Sequence, residues 1–146
     1  MSQKANKRKC IQCPHESLAL FCLLTLPTLS TDTTIVGKVV GVHDGDMLTL
    51  RTEDETLKVR LSDIDTPELG QPFGNNAKQA LSALAFGKTA TIKSSGKDRY
   101  GKTLGYIFID NQPIITMMVR MGMAWWYRRY DKTEELENAE RYAKEN

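Results

Sequence analysis

Cysteine is missing from most of this chain of 146 residues. Cys10, Cys13 and Cys22 lie near the N-terminus, and no cysteine follows them. A body without cysteine cannot form disulfides, use a thiolate nucleophile or bind zinc through cysteine. Cys10 and Cys13 have the spacing of half a zinc knuckle, but no second Cys/His pair stands nearby and a structural zinc site needs four ligands. The chemistry of the body must therefore rest on other residue types.

A surplus of basic residues is also missing from the body. The chain holds 20 Lys and Arg residues and 18 Asp and Glu residues, and four of the basic and one of the acidic residues fall in residues 1–30. The remainder thus holds 16 basic and 17 acidic residues. A protein that holds nucleic acid by bulk charge shows an excess of Lys and Arg. Contact between this body and an anionic substrate must therefore be local or assisted by a metal ion.

No apolar run is long enough to anchor the chain permanently in a membrane. The N-terminal stretch has a basic start through Lys9, the short apolar run 18–26 and small residues around Ser30. This order is typical of an export signal. The alternative is a disordered or mispredicted leader that does not direct export. We therefore expect a signal peptide over 1–30 and a folded domain over 31–146. The expected location is secreted or periplasmic, with no stable membrane association after export.

The body contains five short strand-like runs, with one helix between the third and the fourth. Its length suits a single ordinary domain. Partly alternating apolar and β-branched residues predict the strands, and apolar residues at helical spacing predict the helices. The predicted strands are Ile35–Val42, Met47–Thr52, Thr56–Leu61, Thr89–Ser94 and Thr103–Ile109, and the predicted helices are Asn76–Phe86, Pro113–Met121 and Thr133–Lys144. This order predicts a mainly β domain with α elements (α+β), a five-stranded Greek-key barrel of the OB-fold type with about three helices.

Two acid-rich clusters fall at strand ends, where a barrel can bring them together. Asp44-Gly45-Asp46 follows the first strand, and Asp63-Ile-Asp65-Thr-Pro-Glu68 follows the third. Hard divalent cations prefer carboxylate and carbonyl oxygens, and Asp46 and Asp65 offer two carboxylates. Each cluster alone is also ordinary turn chemistry, because Asp-Gly and Asp before Thr-Pro are common in turns.

Cationic residues accompany these clusters. Arg60 lies on the third strand between apolar neighbours, and a guanidinium at a strand end needs a carboxylate or phosphate partner. The loop Lys97–Lys102 gathers cations around Tyr100, a grouping that can hold phosphate and stack a base. The structural alternatives are a salt bridge from Arg60 to Asp63 or Glu68 and a solvated hairpin tip.

Three separated motifs together resemble the signature segments of the staphylococcal (micrococcal) nuclease family. They are Asp44-Gly-Asp46, then Arg60-Leu-Ser-Asp-Ile-Asp-Thr-Pro-Glu68, then Asp98-Arg-Tyr-Gly-Lys-Thr-Leu-Gly-Tyr106. The similarity continues through Val119–Ala124 and spans nearly all of residues 36–145. The resemblance implies a nuclease that uses Ca²⁺ and cuts DNA and RNA without sequence preference, leaving 3′-phosphate products. We expect it to be a monomer.

The resemblance also implies roles for the residues that match the first two motifs. Asp46 and Asp65 correspond to calcium-binding carboxylates, and the Thr66 carbonyl corresponds to a further ligand. Glu68 corresponds to the residue that activates or orients the attacking water. Arg60 corresponds to a cation on the scissile phosphate.

Further correspondences concern the substrate. Arg99 and Tyr100 resemble the pair that contacts the terminal phosphate, Tyr130 matches a tyrosine of the same pocket, and Tyr127 is its neighbour. Lys102 stands where the family usually has a second catalytic arginine after Tyr-Gly.

Two departures from the family pattern bear on activity. Lysine at position 102 keeps the charge but loses the planar fork that grips two phosphate oxygens. Met47 replaces the threonine that usually follows Asp-Gly-Asp. The alternative function is therefore a catalytically weakened or inactive module of this fold that binds nucleic acid or protein. The full set of Asp46, Asp65, Arg60 and Glu68 favours the enzyme.

Overall fold

In the part of the chain that the structure describes, eight strands form where apolar and β-branched residues alternate or where short segments pair with a neighbour. The computed structural model describes residues 33–129 and 133–146. In chain order the strands are β1 (Thr33–Val42), β2 (Met47–Arg51), β3 (Thr56–Leu61), β4 (Ile64–Asp65), β5 (Thr89–Lys97), β6 (Thr103–Ile109), β7 (Gln112–Pro113) and β8 (Trp125–Trp126). The five long strands are those that the sequence predicts. β5 runs three residues further than predicted, because a register shift between Ser94 and Gly96 lets it keep pairing with β6.

The five long strands close into a barrel. The sheet order is β3-β2-β1-β5-β6, with antiparallel neighbours throughout. A parallel pairing between β3 and β6 then joins the two ends, with Val59 opposite Thr103, Arg60 opposite Leu104 and Leu61 opposite Gly105. This closed five-stranded barrel with three helices confirms the predicted OB-fold architecture.

Strict alternation along β6 separates the barrel interior from its outer wall. Successive side chains of a strand point to opposite faces. Thr103, Gly105, Ile107 and Ile109 are buried, whereas Leu104, Tyr106 and Phe108 are only partly buried. On β3 the same alternation buries Val59 and Leu61 and leaves Arg60 on the outer wall. The seam between β3 and β6 therefore has an apolar inner side, and its outer side carries Arg60 and Tyr106.

Three helices complete the domain: α1 (Gly74–Ala85), α2 (Ile114–Arg120) and α3 (Glu134–Glu145). α1 begins two residues earlier than predicted, after Phe73, whose φ of 65° turns the chain into the helix. α3 carries three glutamates in its first turn and Lys144 in its last, an arrangement that suits the helix dipole. It buries Leu136 and Ala139 and packs against α2.

Two sequence predictions fall on residues that the structure does not describe. The predicted signal peptide over 1–30 lies outside the described residues, and so does Tyr130. Among the helices of residues 33–129 and 133–146, none is both long enough and apolar enough to cross a membrane.

Candidate active site

The turn between β1 and β2 fixes Asp46 in a nearly buried position. Its backbone N–H donates to Asp44 Oδ1 over 3.1 Å, and its carbonyl accepts from the N–H of Leu61 over 2.9 Å. Gly45 leaves no room for a side chain, because an added Cβ would lie 2.7 Å from Ala77 Cβ and 2.8 Å from Thr66 Cβ. Helix α1 and the chain after β4 therefore close over this turn, and Asp46 retains 7% exposure.

Arg60 reaches from the outer wall of β3 toward two carboxylates. The register places Met47 of β2 and Leu104 of β6 on either side of it. One guanidinium nitrogen, Nη2, lies 3.1 Å from Asp46 Oδ2 and 3.7 Å from Asp65 Oδ1. The structural alternative of a salt bridge to Asp63 or Glu68 is therefore wrong for the described residues.

The chain after β3 presents Asp65, Thr66 and Glu68. Residues Ile64–Asp65 pair with Trp125–Trp126, which fixes the position of the Asp65 backbone. The Glu68 N–H donates to Gln71 Oε1 over 3.1 Å, and the Glu68 carbonyl accepts from the Gln71 N–H over 3.0 Å. These mutual bonds hold the Glu68 loop in one conformation while its side chain stays exposed.

One small cavity of about 160 Å³ collects the residues singled out as catalytic or metal-binding. Its lining consists of Asp44, Asp46, Met47, Arg60, Asp65, Thr66, Glu68 and Lys102. The turn between β1 and β2, the outer wall of β3, β4 with the chain after it, and the residue before β6 all contribute. The structure thus brings six predicted residues together from four separate segments, although their roles stay predictions.

Asp46 is the carboxyl group of this cavity whose ionisation its surroundings disfavour. Burial, above all, raises the pKa of Asp46 to about 7, and a hydrogen bond and charge from Asp44 and the charge of Asp65 raise it further. The Arg60 guanidinium lowers that pKa but does not cancel the effect. A carboxylate in this state is stabilised by an added cation.

The donor set suits a hard divalent cation. Asp46 and Asp65 offer carboxylate oxygens, and Thr66, the predicted carbonyl donor, lines the same cavity. Among the described residues, no group of three or more His, Cys, Asp or Glu side chains has the geometry of a metal site. An ion bound here would therefore take most of its remaining ligands from water.

The hairpin between β5 and β6 is organised by Asp98. Its Oδ1 accepts hydrogen bonds from the N–H groups of Tyr100 and Lys102, over 2.8 Å and 2.9 Å. Desolvation raises the pKa of Asp98, but these two backbone bonds, together with the charges of Lys102 and Arg60, lower the pKa overall. The Arg99 guanidinium lies 4.8 Å from the centre of the exposed Tyr100 ring. Lys102 lines the small cavity, whereas Arg99 and Tyr100 do not.

A second cavity of about 490 Å³ adjoins the first and shares Arg60 with it. Its lining is mostly apolar and consists of Arg60, Leu61, Ser62, Asp63, Ile64, Ser95, Asp98, Leu104, Tyr106 and Tyr127. Of the predicted substrate-binding residues that the structure describes, only Tyr127 lines it, and the Asp65 charge is the main cause that raises the pKa of Tyr127. Ser62 Oγ and Asp98 Oδ2 are buried here without a hydrogen-bond partner in the described part of the chain.

Sequence reasoning missed the contribution of Asp63 and Tyr106 to the second cavity. Asp63 has a φ of 60°, a left-handed conformation that Asp tolerates better than most residues. In this conformation its carboxylate accepts a hydrogen bond from the Tyr106 hydroxyl, and its carbonyl accepts from the Tyr127 N–H over 2.8 Å. The alternation of β6, which turns Leu104 and Tyr106 outward, was the signal available in the sequence.

Comparison with known proteins agrees with this geometry. Residues 58–146 match the family described as staphylococcal nuclease homologue. A protein of Haemophilus influenzae named an uncharacterized endonuclease is 44% identical over 94 residues, which cover 64% of this chain and 53% of that protein. The micrococcal nuclease of Shigella flexneri is 40% identical over 118 residues, or 75% of this chain and 67% of the relative.

A third relative extends the comparison. A protein of Escherichia coli O157:H7, also named an uncharacterized endonuclease, is 36% identical over 115 residues, or 78% of this chain and 73% of that protein. The chain thus matches between about half and three quarters of the length of these relatives. The matched family region includes β3 from Lys58 onward, the Glu68 loop and the β5–β6 hairpin. The closed barrel, the residues around Arg60 and these similarities establish that the chain belongs to the staphylococcal nuclease homologue family.

Proposed function

We propose that this protein is a calcium-dependent nuclease that hydrolyses phosphodiester bonds of DNA and RNA, without sequence preference, to 3′-phosphate products. The observation that carries the proposal is the small cavity in which three aspartates, a guanidinium, an ammonium group and Glu68 meet. Attack of water on a phosphodiester adds negative charge to a group that is already anionic. Fixed cations stabilise that transition state more than the ground state.

Calcium suits the donor set of this cavity. Asp46, Asp65 and the Thr66 carbonyl would hold the ion, with water completing its coordination. Support comes from the raised pKa of Asp46, because a bound cation would offset the desolvation and the repulsion from neighbouring carboxylates. When bound, the ion supplies Lewis-acid stabilisation of charge on the phosphoryl oxygens.

Side chains of the protein supply the proton acceptor and the positive charges that the reaction also needs. Glu68, exposed at the rim of the cavity, accepts a proton from the attacking water. The water oxygen then bonds to phosphorus and the bond from phosphorus to the 5′ oxygen breaks. The departing oxygen is protonated by solvent, which leaves a 5′-hydroxyl on one product and a 3′-phosphate on the other. Arg60 and Lys102 offer their positive charges to the phosphoryl oxygens.

Substrate beyond the scissile phosphate has room in the second cavity. Its mostly apolar lining and Tyr127 suit a nucleoside, while Arg99 and Tyr100 on the neighbouring hairpin suit a terminal phosphate. Apolar and stacking contacts do not distinguish bases strongly, and phosphate contacts carry no sequence information. This combination supports cleavage of many sequences in both DNA and RNA.

The experiment that tests the proposal measures cleavage of labelled single-stranded DNA and RNA by the full chain, with Ca²⁺ and with a chelator. We expect cleavage of both only with Ca²⁺, and mass spectrometry of the products should find 3′-phosphate ends. Calorimetry should also find that Asp46→Ala no longer binds Ca²⁺ in the presence of a nucleotide diphosphate. Nucleic-acid binding without cleavage under any of these conditions would instead support the alternative of an inactive binding module.

The same proposal extends to where and how the protein acts. We propose that it is exported to the periplasm or the medium and works there as a monomer, without stable membrane association. The support for export is the basic and then apolar order of residues 1–30. Extracellular calcium would then be available to the cavity.

A further inference from the structure

Glu68 is followed by a tight turn that brings the chain back onto it. The Gln71 N–H donates to the Glu68 carbonyl over 3.0 Å, which closes a β-turn. Gly70, the third residue of this turn, has a φ of 94°, a conformation that favours glycine. Pro72 then restricts the backbone of the residue before it to extended conformations. The order of these residue types therefore fixes the backbone of Gln71 beside that of Glu68.

The side chain of Gln71 holds Glu68 from the other side. Its Oε1 accepts a hydrogen bond from the Glu68 N–H over 3.1 Å. Both backbone polar groups of Glu68 are thus bonded to one residue, the N–H to its side chain and the carbonyl to its main chain. Glutamine and glutamate offer an acceptor at this reach, whereas asparagine and aspartate are one methylene shorter.

The first turn of α1 supports this arrangement. The Gly74 N–H donates to the Gln71 carbonyl over 3.1 Å. A Cβ added at Gly74 would lie 2.0 Å from the Glu68 carbonyl oxygen, so the helix starts directly against Glu68. Ala77, one turn further along, would be met at 2.7 Å by a Cβ added at Gly45. Helix α1 therefore contacts both the Glu68 turn and the turn between β1 and β2.

Gln71 does not belong to the cavity that it adjoins. Glu68 lines the small cavity, whereas Gln71 is absent from its lining and is exposed to solvent. Substitution of an exposed residue usually changes the stability of a fold little. Without the bond to Gln71 Oε1, the Glu68 N–H would bond to water and the Glu68 main chain would be less constrained. An effect of Gln71 on the reaction must therefore act through Glu68.

We propose that Gln71 is a positioning residue for catalysis, which fixes the main chain of Glu68 so that its carboxylate meets the attacking water. This inference rests on the proposed nuclease function and deepens it, because Glu68 is the proton acceptor of that proposal. A general base acts only within hydrogen-bond distance of the proton that it removes. Displacement of a reacting group by about 1 Å can lower a rate by roughly a hundredfold.

Two substitutions of similar length test the hydrogen bond itself. Gln71→Met removes the acceptor, whereas Gln71→Glu keeps it. In Ca²⁺-dependent cleavage of single-stranded DNA, Gln71→Met should lower kcat roughly tenfold to a hundredfold and change KM little, and Gln71→Glu should retain most of the wild-type kcat. The matched control is Gln79→Met, at an exposed position of α1, which should change neither constant. A wild-type kcat in Gln71→Met, or equal losses in Gln71→Met and Gln71→Glu, would overturn the proposal.

A double-mutant cycle tests whether Gln71 acts through Glu68. In a Glu68→Gln background no general base is left to position, so Gln71→Met should change the residual cleavage by less than about twofold. The same loss in both backgrounds would overturn the proposal, because it would assign the effect to the fold rather than to Glu68.

Amide exchange separates this inference from the proposed function. In the full chain without metal, NMR should find that the Glu68 amide exchanges with solvent faster in Gln71→Met than in the wild type or in Gln71→Glu. An unchanged exchange rate in Gln71→Met would overturn the inference whatever the activity. If the wild type cleaves nothing, the proposed nuclease function fails, and the exchange rates alone decide whether Gln71 fixes Glu68.

Discussion

The Arg60 guanidinium lies 3.1 Å from the Asp46 carboxylate, and this ion pair stands on the outer wall of the barrel seam. Because Asp46 is only 7% exposed, the charged groups beside it, rather than water, determine whether its carboxyl group ionises. The pair partly offsets the cost of burying Asp46 but leaves its pKa raised to about 7. The ionised Asp46 therefore destabilises the folded metal-free protein, and a bound cation would offset this destabilisation.

The first prediction concerns the stability of the metal-free protein as a function of pH. Because the pKa of Asp46 is higher in the folded state than its ordinary value of 3.8, the folded state holds the proton more tightly than the unfolded state. This contribution to stability is present below about pH 4 and is lost as the pH rises through about 7. Asp46→Asn should flatten this decline and be more stable than the wild type near pH 8, by on the order of a few kcal/mol.

Denaturant unfolding in chelator at several pH values measures this effect. Asp54→Asn, at an exposed turn position, serves as the control and should leave the pH profile unchanged. If Asp46→Asn follows the wild-type profile, burial does not perturb Asp46 as described. Added Ca²⁺ should stabilise the wild type more near pH 8 than near pH 5, since the ligand must be deprotonated.

The second prediction concerns Lys102, which lines the small cavity and whose ammonium lies 5.7 Å from the centre of the Tyr100 ring. Lysine offers a point charge, whereas arginine can grip two phosphoryl oxygens. Lys102→Arg should raise kcat about tenfold with little change in KM, because the added contact forms in the transition state. Lys97→Arg, on the same hairpin but outside the cavity, is the matched control. An unchanged kcat in Lys102→Arg would mean that another residue holds the phosphate.

The third prediction concerns the packing that positions Asp46. An added Cβ at Gly45 would overlap Ala77 and Thr66, whereas at Gly41 the nearest atom would lie at an ordinary 3.6 Å. Gly45→Ala should therefore destabilise the fold by roughly 1–3 kcal/mol and weaken calcium binding. Gly41→Ala should have much smaller effects on both. Thermal unfolding and calcium titration of the two variants decide this, and equal behaviour would show that the contact of α1 with the turn is not needed.

The fourth prediction concerns the N-terminal residues. If residues 1–30 are an export signal, the stable product in the cell should begin near Thr31 and contain no cysteine. Mass spectrometry of the periplasmic or medium fraction measures this. A full-length product that remains in the cytoplasm would contradict export.

Much of the fold could be predicted because the long strands carry their own signal. Alternation in β3 and β6 identified both strands and implied that Arg60 stands apart from its apolar neighbours. The pairing of β4 with β8 could not be predicted, since two-residue strands have no periodicity and about sixty residues separate them. The position of Tyr127 in the second cavity depends on that pairing, so the sequence did not reveal it.

The partners of Arg60 show the same limit within the site. The sequence favoured nearby acids, Asp63 and Glu68, as its structural alternatives, whereas the structure pairs it with Asp46 and Asp65. The reason is the β2–β3 register, which puts Met47 opposite Arg60 and so brings the turn before β2 to its side. Asp63 turns away through its left-handed backbone to meet Tyr106. Register and backbone handedness are tertiary properties that local spacing does not encode.

The most direct test of the proposed active site compares Arg60→Ala with Lys58→Ala in calcium-dependent cleavage of single-stranded DNA. Both residues lie on the outer wall of β3, two positions apart, but only Arg60 lines the cavity. We expect Arg60→Ala to lower kcat by about a hundredfold or more, because a donor to the developing charge is lost, while circular dichroism shows an intact barrel. We expect Lys58→Ala to stay within about twofold of the wild type. Equal cleavage by the two variants would contradict the claim that this cavity is where the phosphodiester bond is cut.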